Sequence, residues 1–216
     1  MYPQSSTAIA APPSIPPVST AVEPRSTRLD GFRVLGLLVA LMWVSEIVDT
    51  AADHRLDQYG IEPRDEDGLI GIPAAPFLHV GFGHLISNTV PLVTMGLAIA
   101  FAGARRVVAV TAIVALVSGV GTWLVAPEGT IHIGASGVVF GYATYLLSRG
   151  IFNRDLLELA IGAVVAVVWG GALLGGLLPE EGISWQGHFF GAVGGVLAAR
   201  LLSRRRAGAS GHVTAA

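Results

Sequence analysis

The serine motif Gly134-Ala135-Ser136-Gly137 opens an apolar run that ends at Leu147. The only histidine in a later hydrophobic segment is His188. Polar side chains are costly inside a bilayer, so a hydroxyl and an imidazole placed there indicate a functional site. The working hypothesis is therefore that Ser136 acts as a nucleophile and His188 as its base, and that the two meet inside a membrane.

The composition predicts a membrane protein. Of 216 residues, 52% are hydrophobic and only 13% are charged, whereas soluble domains carry roughly 25% charged residues. The net charge of −2 gives no reason to expect a nucleic-acid partner. The chain has no cysteine, which excludes disulfides, thiolate catalysis and cysteine-bound zinc.

Six apolar segments predict an all-α membrane protein built as a bundle of six transmembrane helices. A spanning helix needs about 20 residues. The fourth and sixth segments are shorter, and a short helix buried among longer ones can leave a water-filled hollow above one end. The six segments cover residues 32–48, 85–104, 107–126, 133–147, 156–178 and 187–202.

Three regions follow from this pattern. Residues 1–30 hold six of the twelve prolines with many Ser and Ala, which predicts a disordered cytoplasmic tail. Residues 31–204 form the six-helix domain, and residues 205–216 a short cytoplasmic tail. Within the domain, the long connection 50–83 mixes acidic and apolar residues, so we expect it to fold at the outer surface beside the site.

The basic residues set the predicted topology. All 13 are arginine, and eleven of them fall on one side of a six-helix arrangement. By the positive-inside rule that side is cytoplasmic, which places both termini there. The eleven are Arg25, Arg28, Arg33, Arg105, Arg106, Arg149, Arg154, Arg200, Arg204, Arg205 and Arg206; the exceptions are Arg55 and Arg64.

This topology brings three polar clusters to one depth. The second, fourth and sixth segments all start at the outer face. His84 and Asn88 lie at the start of the second, Ser136 at the start of the fourth, and His188 at the start of the sixth. We therefore expect the polar groups to share a level near the outer surface.

A serine hydroxyl is a weak nucleophile at neutral pH and needs a base. The imidazole of His188 has a suitable pKa range for shuttling the proton. Taken alone, the serine could instead bond to its own helix backbone, and the histidine could be a helix–helix contact. Their matched depth favours the catalytic interpretation.

Glycines indicate how the two segments approach each other. Small residues repeated every four positions let helices pack closely, although such stripes also occur purely for packing. The fourth segment carries Gly137 and Gly141, and the sixth carries Gly187, Gly191 and Gly195.

His84 and Asn88 are four residues apart and so project from one helix face. Their N–H groups, together with the unpaired backbone N–H of Ser136, are suitable donors for an oxyanion. The alternative is that Asn88 caps or bridges helices. His79, in the preceding loop, is interpreted as structural.

No carboxylate is clearly placed to orient His188, so the prediction is a Ser-His dyad rather than a triad. The candidates Glu46, Asp49, Glu180 and Glu181 lie in or beside outer connections. The chain lacks a His-Glu-x-x-His motif, and we predict neither a metal nor a cofactor.

Together these residues resemble the rhomboid family of intramembrane serine proteases. The resemblance covers roughly residues 32–203 and rests on three motifs in order on alternate helices. They are His79-x4-His84-x3-Asn88, Gly134-Ala135-Ser136-Gly137 and His188-x2-Gly191-x3-Gly195. Family members often have a tyrosine four residues after the serine, where this chain has Phe140, whose ring can still stack on His188.

The resemblance implies that Ser136 is the nucleophile, that His188 is the general base, and that His84, Asn88 and the Ser136 amide form the oxyanion hole. It also implies transmembrane protein substrates with a single span, cut near the outer end of their helix. A bacterial plasma membrane suits the composition, and the oligomeric state is left open. The alternatives are an inactive rhomboid-like protein that binds membrane clients, and a small transporter.

Overall fold

The computed structural model describes residues 26–203, and every regular element in that range is helical. Three short 3-10 turns cover Asp57–Tyr59, Asp67–Ile70 and Ala75–Phe77. Extended pairing in residues 26–203 is limited to an isolated bridge between Ile61 and His132. The α-helices are α1 (Ser26–Ala51), α2 (Gly71–Ala74), α3 (Gly81–Ala100), α4 (Ala104–Val125), α5 (Ser136–Asn153), α6 (Leu156–Gly175) and α7 (Trp185–Leu201).

Six of these helices are long and correspond to the six predicted segments, while α2 is a single turn. The helix ends differ from the predicted ones where local backbone geometry intervenes. The positive φ of Gly134 (113°) keeps the start of α5 at Ser136. Helix α1 already begins at Ser26, so the last residues of the predicted disordered tail are helical. Residues 1–25 and the predicted tail 205–216 lie outside the described range.

Among residues 26–203, four helices are long and apolar enough to cross a membrane: Arg28–Ala51, Gly81–Ala100, Ala104–Val125 and Leu156–Gly175. The shorter α5 and α7 have 18 and 17 residues and are not among these four. The all-helical class is therefore shown for the described residues, and these four helices have the length and apolar composition of membrane spans. The count of six spans and the cytoplasmic position of both termini stay predictions.

Helix α5 lies at the centre of the bundle and contacts α3, α4, α6 and α7. Tyr142 and Tyr145 are fully buried on it. The Tyr142 hydroxyl lies 2.6 Å from Thr111 Oγ1, and Arg106 Nη1 donates to the Tyr145 hydroxyl at 3.3 Å. Both aromatic side chains thus bury large apolar surfaces while their polar ends are hydrogen-bonded.

The closest packing in the bundle joins α5 to α7 along a line of glycines. A Cβ atom on Gly191 would collide with the backbone of Gly137, and one on Gly195 would collide with the carbonyl oxygen of Gly141. The glycine stripes predicted on these two segments therefore face each other, and we call this contact the α5–α7 seam.

Helix α6 packs mainly on α5 and leaves most of its surface outside the bundle. Leu156 and Val167 are 84% and 85% exposed. Such an apolar surface suits lipid as its surroundings. At its start, the Asp155 side chain accepts hydrogen bonds from the Leu157 and Glu158 backbone N–H groups and caps the helix.

The connection between α1 and α3 is folded, as expected for a long segment of mixed polarity. Ile61 exchanges two backbone hydrogen bonds of 2.9 Å with His132. Arg64 pairs with Glu128, and the Trp123 indole N–H donates to the Asp65 carbonyl at 2.8 Å. These contacts tie the connection to α4 and to the chain that leads into α5.

Candidate active site

The N-terminal ends of α3, α5 and α7 meet at one cavity of about 1110 Å³. Its lining includes Ser136, His188, His84 and Asn88, which the sequence placed on three separate segments. Each of these residues lies at the start of its helix or in the next turns. The structure thus brings the four predicted polar residues to a single site.

Ser136 is the first residue of α5 and is partly buried. Its backbone N–H lies in the first helical turn and has no intrahelical partner. In the described part of the chain, no hydrogen bond joins the Ser136 hydroxyl to the His188 ring. Catalytic hydrogen bonds are often long or poorly aligned when no substrate is bound. What links the two side chains in this structure is that both line the same cavity.

His188 is buried and held from two sides. Its Nδ1 lies 2.6 Å from the carbonyl oxygen of Gly176. Because a carbonyl can only accept, Nδ1 must carry the proton, and Nε2 of the neutral ring is left as the acceptor. The Phe140 ring stacks on the imidazole at 4.2 Å with an interplanar angle of 6°.

Gly176 thus performs the orienting role for which the sequence offered no carboxylate. It follows directly on the end of α6. Any residue type carries a backbone carbonyl, so nothing in the sequence could have singled out this partner.

His84 has a similarly fixed tautomer. The Val80 backbone N–H donates to its Nδ1 at 3.3 Å, so Nε2 of the neutral ring carries the hydrogen. That edge of the ring lies against Gly134, where a Cβ would come within 2.8 Å of Nε2. Glycine is therefore needed at position 134 for two reasons: the backbone has a positive φ, and a side chain would collide with His84.

Asn88 is buried beside His84. One hydrogen of its amide bonds to the His84 carbonyl oxygen at 2.9 Å. A side-chain amide has two hydrogens to donate, so the second is available to the cavity. The structure thus places two N–H donors, from His84 and Asn88, next to the turn that carries Ser136.

His79 supports this turn without lining the cavity. It is 1% exposed, and its Nε2 accepts from the Ala135 N–H at 3.4 Å. Burial, together with the neighbouring His84, lowers the pKa of His79 to about 4. The ring is therefore neutral at physiological pH, as its acceptor role requires.

His132 was not singled out from the sequence, yet it lines the cavity. Its ring nitrogens lie 2.8 Å from Ser184 Oγ and 2.8 Å from Thr130 Oγ1. Burial lowers the pKa of His132. The only available sequence signal was a histidine four residues before the serine, in a segment with no periodic pattern.

One group of side chains in residues 26–203 has metal-ligand geometry. Asp49, His54 and Asp57 offer ligand atoms within 4.8 Å of one another. None of the three lines the cavity. The predicted absence of a catalytic metal remains a prediction.

A family model described as Rhomboid domain matches residues 67–205, well over half of the chain. The chain belongs to the rhomboid family. The resemblance inferred from the three motifs is thereby confirmed, and with it an integral membrane protein from a family of serine intramembrane proteases.

The chain is similar to several bacterial proteins, one of which is named a rhomboid protease. An uncharacterised protein of Mycobacterium tuberculosis is 43% identical, over 93% of this chain and 90% of its own length. An uncharacterised protein of Mycobacterium leprae is also 43% identical, over 76% of this chain and 68% of its own. The rhomboid protease GluP of Bacillus subtilis is 30% identical over 62% of this rhomboid chain and 26% of its own length.

Proposed function

We propose that this protein is an intramembrane serine endopeptidase that cuts single-span membrane proteins through a Ser136–His188 dyad. One observation carries the proposal. The cavity that holds Ser136 also holds a histidine whose Nδ1 is engaged by a backbone carbonyl, which leaves Nε2 as the base. A histidine that keeps an acceptor nitrogen in the same cavity as a serine supports general-base catalysis.

The chemistry follows from these positions. His188 Nε2 takes the Ser136 proton while Oγ attacks the substrate carbonyl, forming a tetrahedral intermediate. His84 Nε2–H, the free amide hydrogen of Asn88 and the Ser136 backbone N–H donate to its oxyanion. His188 then protonates the leaving amine, and water entering the cavity hydrolyses the acyl-enzyme. Loss of one such donor typically costs about 10²–10³-fold in rate.

The substrate must present an extended backbone. In a helix, peptide carbonyls are already hydrogen-bonded, so a transmembrane substrate has to unwind locally before it reaches Ser136. Small or helix-weakening residues near the cut would ease this step. The arginine distribution supports a position of the cavity at the outer face of a bacterial plasma membrane.

A binding protein that holds membrane clients without cutting them is the alternative. Such a protein needs neither a nucleophile nor a base with a fixed tautomer. The presence of Ser136 and His188 on one cavity favours the protease.

Cleavage of a single-span model substrate in liposomes tests the proposal. We expect wild-type cleavage and labelling of Ser136 by a fluorophosphonate, with both lost in Ser136→Ala and His188→Ala. Ser203→Ala, beyond the opposite end of α7, serves as the matched control and should cut normally. Full activity in Ser136→Ala would refute the mechanism, and a wild type that neither cuts nor labels would favour the binding protein.

A further inference from the structure

We propose that His132 is a positioning residue that holds the Ser136 turn against the start of α7 and so sets the approach of Ser136 to His188. This inference rests on the proposed function, since positioning matters through the dyad. It assigns a role to a cavity histidine that the proposed mechanism leaves unused.

The hydrogen bonds around His132 allow only one consistent arrangement of protons. Thr130 Oγ1 lies 2.6 Å from the Pro127 carbonyl, to which its hydroxyl must donate. Thr130 Oγ1 therefore accepts from His132 Nε2–H, at 2.8 Å. In the neutral ring Nδ1 is then the acceptor, and it receives the Ser184 hydroxyl hydrogen at 2.8 Å.

Ser184 transmits this contact to α7. It is the N-cap residue of that helix, and its Oγ also accepts from the Gly187 N–H at 3.3 Å. Its carbonyl oxygen accepts from the His188 N–H at 3.1 Å. The residue bonded to His132 is therefore bonded in turn to the backbone of the proposed general base.

The other side of His132 leads to the nucleophile. Its backbone exchanges two 2.9 Å hydrogen bonds with Ile61, which fixes the residue in place. Two residues later, the Gly134 N–H donates to the Ala75 carbonyl at 2.8 Å, and Ser136 follows. The chain between His132 and Ser136 is thus short and held by backbone bonds, so a displacement at His132 carries to Ser136.

His132 complements the α5–α7 seam. The seam fixes α5 and α7 from Gly137 and Gly187 onward, where a Cβ on Gly137 would stand 3.1 Å from the Gly187 carbonyl oxygen. Nothing in the seam restrains the chain that precedes Ser136. The Gly134–Ala75 and His79–Ala135 hydrogen bonds hold that chain from one side. The His132–Ser184 bond is the one that joins it to the start of α7.

The same geometry argues against a catalytic role for His132. Both ring nitrogens are engaged by protein hydroxyls, so neither is free to exchange a proton with a substrate. Burial lowers the pKa of the ring, in keeping with a neutral imidazole that accepts at Nδ1. His132 therefore acts through Ser184 and the turn.

The test compares His132→Leu with His132→Asn. Leucine fills a similar volume without hydrogen bonds, whereas the Asn Oδ1 can accept from Ser184 in place of Nδ1. We expect kcat and the rate of fluorophosphonate labelling to fall at least about tenfold in His132→Leu, with KM within about twofold, and to recover largely in His132→Asn. Thr130→Val removes the Nε2 contact and the Pro127 hydrogen bond but keeps Nδ1 bonded to Ser184, so it should lose less.

A double variant separates positioning from general stability. Ser184→Ala also removes the Gly187 cap, so it is the reference here. If His132 acts through Ser184, adding His132→Leu to Ser184→Ala should lower kcat little further than Ser184→Ala alone. Multiplied losses in the double variant would overturn the proposal. So would unchanged kcat in His132→Leu, or a loss that follows the unfolding temperature and is not rescued by His132→Asn.

Amide hydrogen exchange of residues 131–135 and 185–188 gives a readout that does not need activity. Faster exchange in both segments for His132→Leu, but not for His132→Asn, would support the link even if the wild type cuts no substrate. In that case the protease proposal would fail and the structural link would stand. Unchanged exchange in both segments would refute the link itself.

Discussion

Helices α6 and α7 both pack on α5, yet they use glycine differently. In α7, Gly191 and Gly195 lie against the backbone of α5, where no Cβ would fit. In α6, Gly171 and Gly175 have the same four-residue spacing, but a Cβ on either would meet nothing within 4 Å. A small-xxx-small pattern is therefore a packing device only where another backbone faces it.

The different packing of α6 and α7 on α5 affects the candidate active site. The α5–α7 seam carries the proposed nucleophile and base on two helices in direct backbone contact. Helix α6 contacts α5 less extensively than α7 does, yet the residue after its end, Gly176, accepts the hydrogen bond that orients His188. The distance between the two proposed reacting groups thus depends on the α5–α7 contact, and the tautomer of the proposed base depends on the end of α6.

The largest expected effect comes from one added methyl group in the seam. Gly191→Ala forces Cβ into the backbone of Gly137, and neither helix can yield without separating the dyad. We expect a loss of about 3 kcal/mol in the free energy of unfolding, at the upper end for overpacking, together with loss of proteolysis. Thermal unfolding in detergent and a cleavage assay measure the two effects.

Gly171→Ala is the matched control on α6. It adds the same methyl group to a helix where space is open, and it should stabilise the protein by up to about 1 kcal/mol through helix propensity. Equal effects of the two substitutions would contradict the contrast between the helices.

The next effect concerns the polar contact between α5 and α6. Arg149 on α5 pairs with Glu158 on α6, and their side chains are only 17% and 11% exposed. Glu158→Ala leaves the arginine without its carboxylate in a largely buried place, so we expect a loss of about 3 kcal/mol or somewhat less. Chemical unfolding in detergent micelles measures it.

The exposed pair of Arg64 and Glu128 provides the control, with exposures of 37% and 74%. Glu128→Ala should cost no more than about 1 kcal/mol, because solvent screens such pairs. If Glu158→Ala were as mild as Glu128→Ala, α6 would owe its place to apolar contacts alone.

Much of this arrangement could be predicted from the sequence, and its limits have physical reasons. Hydrophobic runs predict long helices, and glycine spacing in α5 and α7 predicted the seam. The same glycine spacing in α6 does not predict that Gly171 and Gly175 face open space, because the spacing of glycines does not show which element lies opposite them. The roles of Gly176 and His132 could not be predicted for a related reason. They depend on hydrogen bonds between residues that are far apart in sequence and meet only in the folded chain.

A smaller effect is expected at Phe140, which stacks on His188 beside the seam. Such ring stacking is worth about 1 kcal/mol. Phe140→Ala should therefore lower kcat about five- to tenfold by freeing the imidazole, while Phe140→Tyr keeps the ring and most of the rate. Steady-state kinetics with a fluorogenic transmembrane substrate distinguishes the two, and a wild-type kcat in Phe140→Ala would show that the Gly176 bond alone orients the base.

The smallest expected effect lies outside the α5–α7 seam and concerns how the stability of the protein depends on pH. The seam is made of glycines and carbonyls and contains no group that titrates, whereas the connection before α3 holds Asp57. Burial, and next the Asp49 carboxylate, raise the pKa of Asp57 to about 6, with Glu46 also raising it and His54 opposing. The folded state thus binds this proton more tightly than the unfolded chain, so stability falls as pH rises from about 4 to about 6.

Asp57→Asn removes this dependence. Below pH 4 the carboxyl is protonated in both states, and the variant should match the wild type. Above pH 6 the variant should be more stable by about 1 kcal/mol, after allowance for the partial solvent access of the side chain. Thermal unfolding between pH 3.5 and 7.5 measures the difference. A constant difference across that range would mean that the proton on Asp57 is not the cause, and would separate an amide packing effect from the electrostatic one.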